Sequence, residues 1–330
     1  MSDYQGIKGV KVKAISADPT NVNLGDVWYN STSNTFKARI YSSGWASGNN
    51  LLSPSGPSTR NNGAGGGADS SCFMFGGSKV DAPYTWTNTQ NFDGTSWANS
   101  GEYLWGWQGN SGTGTAQSTG IGFTGYQRPG YPPIGDKGHS ATYNGSSWTA
   151  VNDLPTVGGG CVGTGNSSLA MAWCFHTNQD LTCEWDGTCW TDGANHVAPA
   201  TGTNAKGQCG PKSNCYAGGI AETGSETWND TCWTTAGTVT ACKSGGAAGS
   251  GSTAGLVWGK TPVAATTTSA FDGTSWSAKG ALVISSGDYT GAGGNSATAA
   301  WTSGGAPMPT AGLATQLYSE GGATQTITTS

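Results

Sequence analysis

The chain is expected to be all-β, a ring of short antiparallel four-stranded sheets built from one repeated unit. Three observations lead there. An aromatic residue, a tight polar turn and a tryptophan recur along its length. Glycine supplies 56 of 330 residues, while charged residues are only 10%. No segment carries a sustained helical period, and the glycine and β-branched content works against helix.

The clear copies of the unit are Phe92-Asp93-Gly94-Thr95-Ser96-Trp97, Tyr143-Asn144-Gly145-Ser146-Ser147-Trp148, Trp185-Asp186-Gly187-Thr188-Cys189-Trp190, Trp228-Asn229-Asp230-Thr231-Cys232-Trp233 and Phe271-Asp272-Gly273-Thr274-Ser275-Trp276. A shortened copy, Tyr41 to Trp45, precedes them, and a degenerate one, Tyr318 to Gly322, follows. The leading aromatics lie 51, 51, 42, 43, 43 and 47 residues apart, the spacing of a stacked or circular repeat. Asp-Gly and Asn-Gly predict tight hairpin turns of type I′, which need positive φ at both central residues. A second aromatic stands upstream in each unit: Phe75, Tyr126, Trp173, Tyr216, Trp258 and Trp301. Glycine-rich stretches precede each of these. The unit therefore parses as four short strands, one blade of a β-propeller. Six blades are expected, with seven as the alternative; Tyr41–Trp45 can also serve as a strand closing the last blade. The motif tryptophans Trp97, Trp148, Trp190, Trp233 and Trp276 are expected to cover the gaps between blades. The division is an N-terminal extension and attachment hairpin over residues 1–50 and a propeller over 51–330.

Composition narrows the partners. Charged residues fall far below the roughly 25% of an ordinary soluble domain. Fifteen Trp, 11 Tyr and 7 Phe supply the core that scarce Leu and Ile cannot. A net charge of −5 with no basic run leaves no footprint for nucleic acid. No apolar run is long enough to span a membrane. The N-terminus lacks the basic and apolar regions of a secretory signal, so synthesis in a cytoplasm without a signal peptide is expected. Eight of the nine cysteines crowd one third of the chain. Local disulfides are expected, pairing Cys183 with Cys189, Cys209 with Cys215, Cys232 with Cys242 and Cys161 with Cys174. Buried thiols are the alternative. Zinc is disfavoured because no C-x₂-C pair exists and His139, His176 and His196 are not at ligand spacing.

At these residues the chain resembles kelch-type propellers. The Phe/Tyr-Asp-Gly-Thr-Ser-Trp unit with glycine-rich strands looks more closely like kelch-like repeat proteins of tailed bacteriophages, over roughly residues 40–330. The regular kelch arginine is missing. The segment Gly25-Asp26-Val27-Trp28-Tyr29-Asn30 to Lys37 is similar to a hairpin of phage tail-fibre and virion-appendage proteins. The resemblance implies a virion location, attachment to other virion proteins through the N-terminal extension, and a homo-oligomer. An extracellular carbohydrate-binding propeller, or a filament subunit not of viral origin, is the alternative.

An enzyme is not expected. The Asp-Gly-Thr-Ser-Trp motif invites comparison with the Asp box of sialidase propellers, but only Arg39, Arg60 and Arg128 are present to bind an anionic sugar. The motif carboxylates Asp93, Asp186 and Asp272 read as turn formers. No cofactor or metal is implied. Binding rests on polar-aromatic loops: Trp105, Trp107, Tyr126 and Tyr131 are the candidate contacts for a cell-surface glycan or a partner. The rival reading of Trp105 and Trp107 is that one of them is core.

Overall fold

A computed structural model describes residues 12–52, 64–77, 86–106, 109–127, 135–158, 160–173, 180–197, 206–220, 223–239, 245–259, 265–285, 291–304 and 313–327. Two compact units are present: Gly44–Ser319, and Met1–Ser43 together with Glu320–Ser330.

In the terminal unit, β1 (Lys13–Ile15) lies parallel to β2 (Val27–Asn30), which forms a hairpin with β3 (Thr35–Gly48). The Asp18 carboxylate organises this hairpin, accepting hydrogen bonds from Trp28 Nε1, Asn30 Nδ2 and Lys37 Nζ at 3.0, 2.8 and 2.7 Å.

The larger unit is a β-propeller. Its first blade runs β4 (Ala64–Ala68), β5 (Ser71–Phe75), β6 (Asn88–Phe92) and β7 (Trp97–Glu102). The second is β8 (Ser111–Thr113), β9 (Gly120–Gln127), β10 (Gly135–Tyr143) and β11 (Trp148–Val151). The third is β12 (Val162–Gly165), β13 (Ala170–Trp173), β14 (Thr182–Trp185) and β15 (Trp190–Asp192). Then β16 (Lys206–Cys209) leads into the sheet of β17 (Cys215–Ile220), β18 (Gly224–Trp228) and β19 (Trp233–Thr235). A further blade is β20 (Gly246–Gly251), β21 (Ala254–Trp258), β22 (Thr268–Phe271) and β23 (Trp276–Ala278). The last joins β24 (Gly291–Ser296), β25 (Ala299–Ser303) and β26 (Thr315–Ile327) to β3. The N-terminal strand thus completes the C-terminal sheet. A Cβ on Gly48 would meet Thr315 and Leu317, whereas Tyr41 bonds Glu320, so the two strands run antiparallel.

The propeller therefore has five blades of four antiparallel strands each, and the expected count of six, or seven, is corrected. The remaining unit keeps only three strands, because β16 pairs in parallel with β20, Lys206 opposite Gly246 and Cys209 opposite Gly249. The small residues Gly246-Ala247-Ala248-Gly249 permit that close approach. Trp185 Nε1 donates to Ser167 O at 2.9 Å, whereas the equivalent Trp228 Nε1 is buried with no hydrogen-bond partner among the described residues.

The expected turn type is also corrected. Gly94, Gly145, Gly187 and Gly273 have φ between 91° and 97°, but the residue before each does not have positive φ. With positive φ at the glycine alone, the two-residue left-handed geometry of I′ is not formed. The Asp or Asn side chain explains this, because its Oδ1 captures the next two free N–H groups: Thr95 and Ser96 at Asp93, Ser146 and Ser147 at Asn144. Asp186, Asn229 and Asp272 do the same.

The motif tryptophans lie between blades. Trp97, Trp148, Trp190, Trp233 and Trp276 donate their indole N–H to Thr315, Thr89, Ser140, Thr182 and Ser225 at 2.8–3.1 Å. Each acceptor stands three residues before the leading aromatic of the preceding unit. Trp45 on the closing strand completes the cycle with Thr268. Glycines admit the second-strand aromatics of the neighbouring blade: a Cβ on Gly163 would lie 2.3 Å from Phe123, and one on Gly65 2.8 Å from Trp301.

The expected disulfides are not formed. Cys72, Cys183, Cys189, Cys215 and Cys232 are free thiols, which excludes Cys183–Cys189, Cys209–Cys215 and Cys232–Cys242. The Cys161 thiol instead shares a hydrogen bond with Thr124 Oγ1 at 2.9 Å, and Cys174 and Cys242 lie outside the described residues. The thiols replace other small residues of the repeat. Cys72 and Cys215 sit opposite a leading aromatic, where other units carry Gly120, Ala170, Gly255 and Ala300. Cys189 and Cys232 take the serine position of the turn, and Cys189 Sγ contacts Asp186 as Ser275 Oγ contacts Asp272. Cys183 is buried in the core while Cys189 is in the turn, so their hairpin position does not bring them together as a pair. Cysteine here behaves as a small apolar or serine-like side chain.

Candidate binding face

In each blade the connection between second and third strands and the connection to the next unit leave from one end. The Asp/Asn turns occupy the other end, as the strand order requires. At the first end, a position six residues after each motif tryptophan is buried and anchored. Leu51, Tyr103, Leu154, His196, Val239 and Leu282 donate their N–H to the carbonyls of Leu313, Thr87, Gly138, Asp180, Thr223 and Thr266 at 2.5–2.9 Å. Sequence reasoning missed this position, since its residue types vary and only its spacing is constant.

Two of these anchors carry the polar features of the face. Tyr103, 1% exposed, lies under Phe75 and Trp148. Trp105 stands edge-on to it at 5.4 Å and stacks on His139 at 5.1 Å with an interplanar angle of 19°. His139 Nδ1 meets Asp153 Oδ2 at 2.8 Å, with the two side chains 40% and 55% exposed. An indole, an imidazole and a carboxylate are thus presented together on a packed base. Trp105 is half-buried, so it is neither a core residue nor a free surface ring. Of the other sequence candidates, Tyr126 pairs through its backbone with Asp136, and Trp107 and Tyr131 lie outside the described residues. His139 and Asp153 were not singled out as contacts; the pairing of β10 with β11 sets these two side by side, and Trp105 reaches them from the neighbouring blade.

The second anchor is His196. Its Nδ1 is 2.7 Å from Glu226 Oε2, both side chains are buried, and the imidazole stacks on Trp233 at 4.1 Å. Glu226 also accepts the Val197 N–H at 3.3 Å. Gln90 and Gln316 hold the equivalent place two residues before a leading aromatic, and each clamps both backbone groups of one linker residue, Leu52 and Ile284. Glu226 therefore belongs to the frame.

The motif carboxylates are likewise committed to turns. Hydrogen bonds from the N–H groups of Ser96 and Thr95 hold Asp93 below its ordinary pKa; Cys189 and Thr188 do so for Asp186, and Ser275 and Thr274 for Asp272. Among the described residues no group of three or more His, Cys, Asp or Glu side chains is placed to hold a metal ion. No described helix is long and apolar enough to cross a membrane.

No family model and no curated protein matches the chain. Among solved structures, that of YjhT is similar, with a TM-score of 0.58 and 11% identity, over 82% of this chain and 99% of that one. At that identity the likeness concerns architecture alone, and propellers host many unrelated functions. The chain is an all-β propeller.

Proposed function

We propose that the chain is a non-enzymatic, kelch-like subunit of a phage virion appendage, such as a tail or head fibre, whose propeller binds host-surface glycans. The observation that carries the binding role is the Trp105–His139–Asp153 set. An indole face can stack on the apolar side of a sugar ring, while an adjacent carboxylate accepts hydroxyl hydrogen bonds. The buried Tyr103 beneath it fixes the geometry, so little side-chain entropy is lost on binding. The non-enzymatic reading rests on the use of Asp93, Asp186 and Asp272 for turn geometry. The virion reading rests on the resemblance of the repeat and of the Gly25–Lys37 hairpin.

The test is a glycan array with the whole protein and with Trp105→Ala and Asp153→Ala. Hits lost in both variants, with unchanged thermal unfolding, are the expected outcome. An array without hits, or hits untouched by the substitutions, would remove this face from consideration. Electron microscopy of particles labelled with antibody against the chain checks the location.

A further inference from the structure

We infer that the outer edge of β26 is a self-association surface, at which two copies of this chain join their terminal units by antiparallel strand pairing. Within the sheet order, β26 lies between β3 and β25. Strand β25 pairs only Thr315 to Ser319. From Glu320 to Ile327 the strand continues with β3 on one side, and among the described residues no strand lies on the other. An open edge presents alternating unpaired N–H and C=O groups, a template for an added strand.

Natural edges are blunted by lysine, proline or a bulge. This one, Glu320-Gly-Gly-Ala-Thr-Gln-Thr-Ile327, has neither lysine nor proline. Its single charge, Glu320, is bonded by Tyr41 within the same unit. Thr324 to Ile327 are exposed. The same unit shows an apolar face: Val27 pairs with Ala38 and Tyr29 with Phe36, which puts Val27, Phe36 and Ile40 on one side, 44%, 48% and 38% exposed.

The occupant these features fit is a second copy. From Gly321 to Ile327 the strand carries no charged side chain, so it offers no attraction to a strongly acidic or basic strand and no repulsion to its own copy. Antiparallel pairing of one strand with its own copy is a two-fold, closed arrangement that leaves no further edge for growth. The inference stands apart from the glycan reading, since it uses no residue of that face.

Sedimentation velocity of the full chain over a concentration series tests it, alongside amide hydrogen exchange. A dimer is expected whose alternate amides from Gly321 to Ile327 are protected only when it forms. Thr324→Lys with Thr326→Lys should abolish the dimer without moving the unfolding temperature. A monomer at all concentrations would overturn the inference, and so would protection of those amides in a monomer. A dimer or higher oligomer indifferent to the two lysines would overturn it as well.

Discussion

The indole N–H of Trp45 donates to the hydroxyl of Thr268 at 2.9 Å across 223 residues of sequence, and this bond closes the propeller. Both groups are buried. Thr268→Val keeps the shape and removes the acceptor, leaving a buried indole N–H without a partner. The expected cost is about 1–3 kcal/mol in urea unfolding. Adding Trp45→Phe should return part of that loss, because the orphaned donor is then gone. If the double variant is less stable by the sum of the two single effects, the bond does not couple the two residues.

Gly163 is retained for contact with a neighbouring blade. Phe123 is fully buried, packs edge-on against Trp190 and would lie 2.3 Å from an alanine Cβ at this position. Gly163→Ala should destabilise the propeller by about 1–3 kcal/mol through overpacking. A compensating Phe123→Leu should recover stability when combined with it. An unchanged unfolding midpoint for Gly163→Ala alone would show that Phe123 can move aside without cost.

What could be read from the residues is what the repeat states by residue type. The period, the tryptophan positions and the Asp/Asn turns are visible because each uses a chemically restricted set. The anchor six residues after each tryptophan is not, since Leu, Tyr, His and Val fill it equally well once its N–H is bonded. The hydroxyl partners of the indoles are hidden among many other threonines and serines. The cysteines mislead because clustering resembles pairing, whereas Cys72 and Cys215 replace glycine and alanine opposite an aromatic. The three-stranded unit escapes notice because nothing near Lys206–Cys209 announces that the strand pairs with β20. Of the binding face, Trp105 is legible as an exposed-loop aromatic. His139 and Asp153 become its neighbours only through the packing of one blade against the next.

Acid should weaken the protein through its committed carboxylates. Lys37, then Asn30 and Trp28, lower Asp18 from 3.8 to about 2, and turn N–H groups lower Asp93, Asp186 and Asp272. A carboxyl depressed in the folded state contributes stability above its unfolded pKa, and that contribution disappears as pH falls through the folded value. Unfolding temperature should therefore drop on acidification below about 4. Asp93→Asn, Asp186→Asn and Asp272→Asn together preserve the Oδ1 acceptor, as Asn144 and Asn229 already do. The triple variant should match the wild type at neutral pH and lose less on acidification. Parallel curves for the two proteins would show that these turns do not drive the acid response.

His196 tests whether the anchor position tolerates only an apolar residue or whether this unit has made a different arrangement. Five units place Leu51, Tyr103, Leu154, Val239 or Leu282 there, and this one places an imidazole against the buried Glu226. His196→Leu removes the imidazole whose Nδ1 lies 2.7 Å from Glu226 Oε2. Breaking a buried pair in this way costs about 3–5 kcal/mol, which should appear as a lower urea midpoint. Combining His196→Leu with Glu226→Gln rebuilds the Leu282–Gln316 arrangement, in which the amide clamps a linker N–H and C=O. The double variant should regain most of the wild-type stability, because a neutral amide satisfies the same backbone groups without leaving a charge buried. If it remains as unstable as His196→Leu, the imidazole contributes through its stacking on Trp233 at 4.1 Å, and the exchange of glutamine for glutamate is not what sets this unit apart.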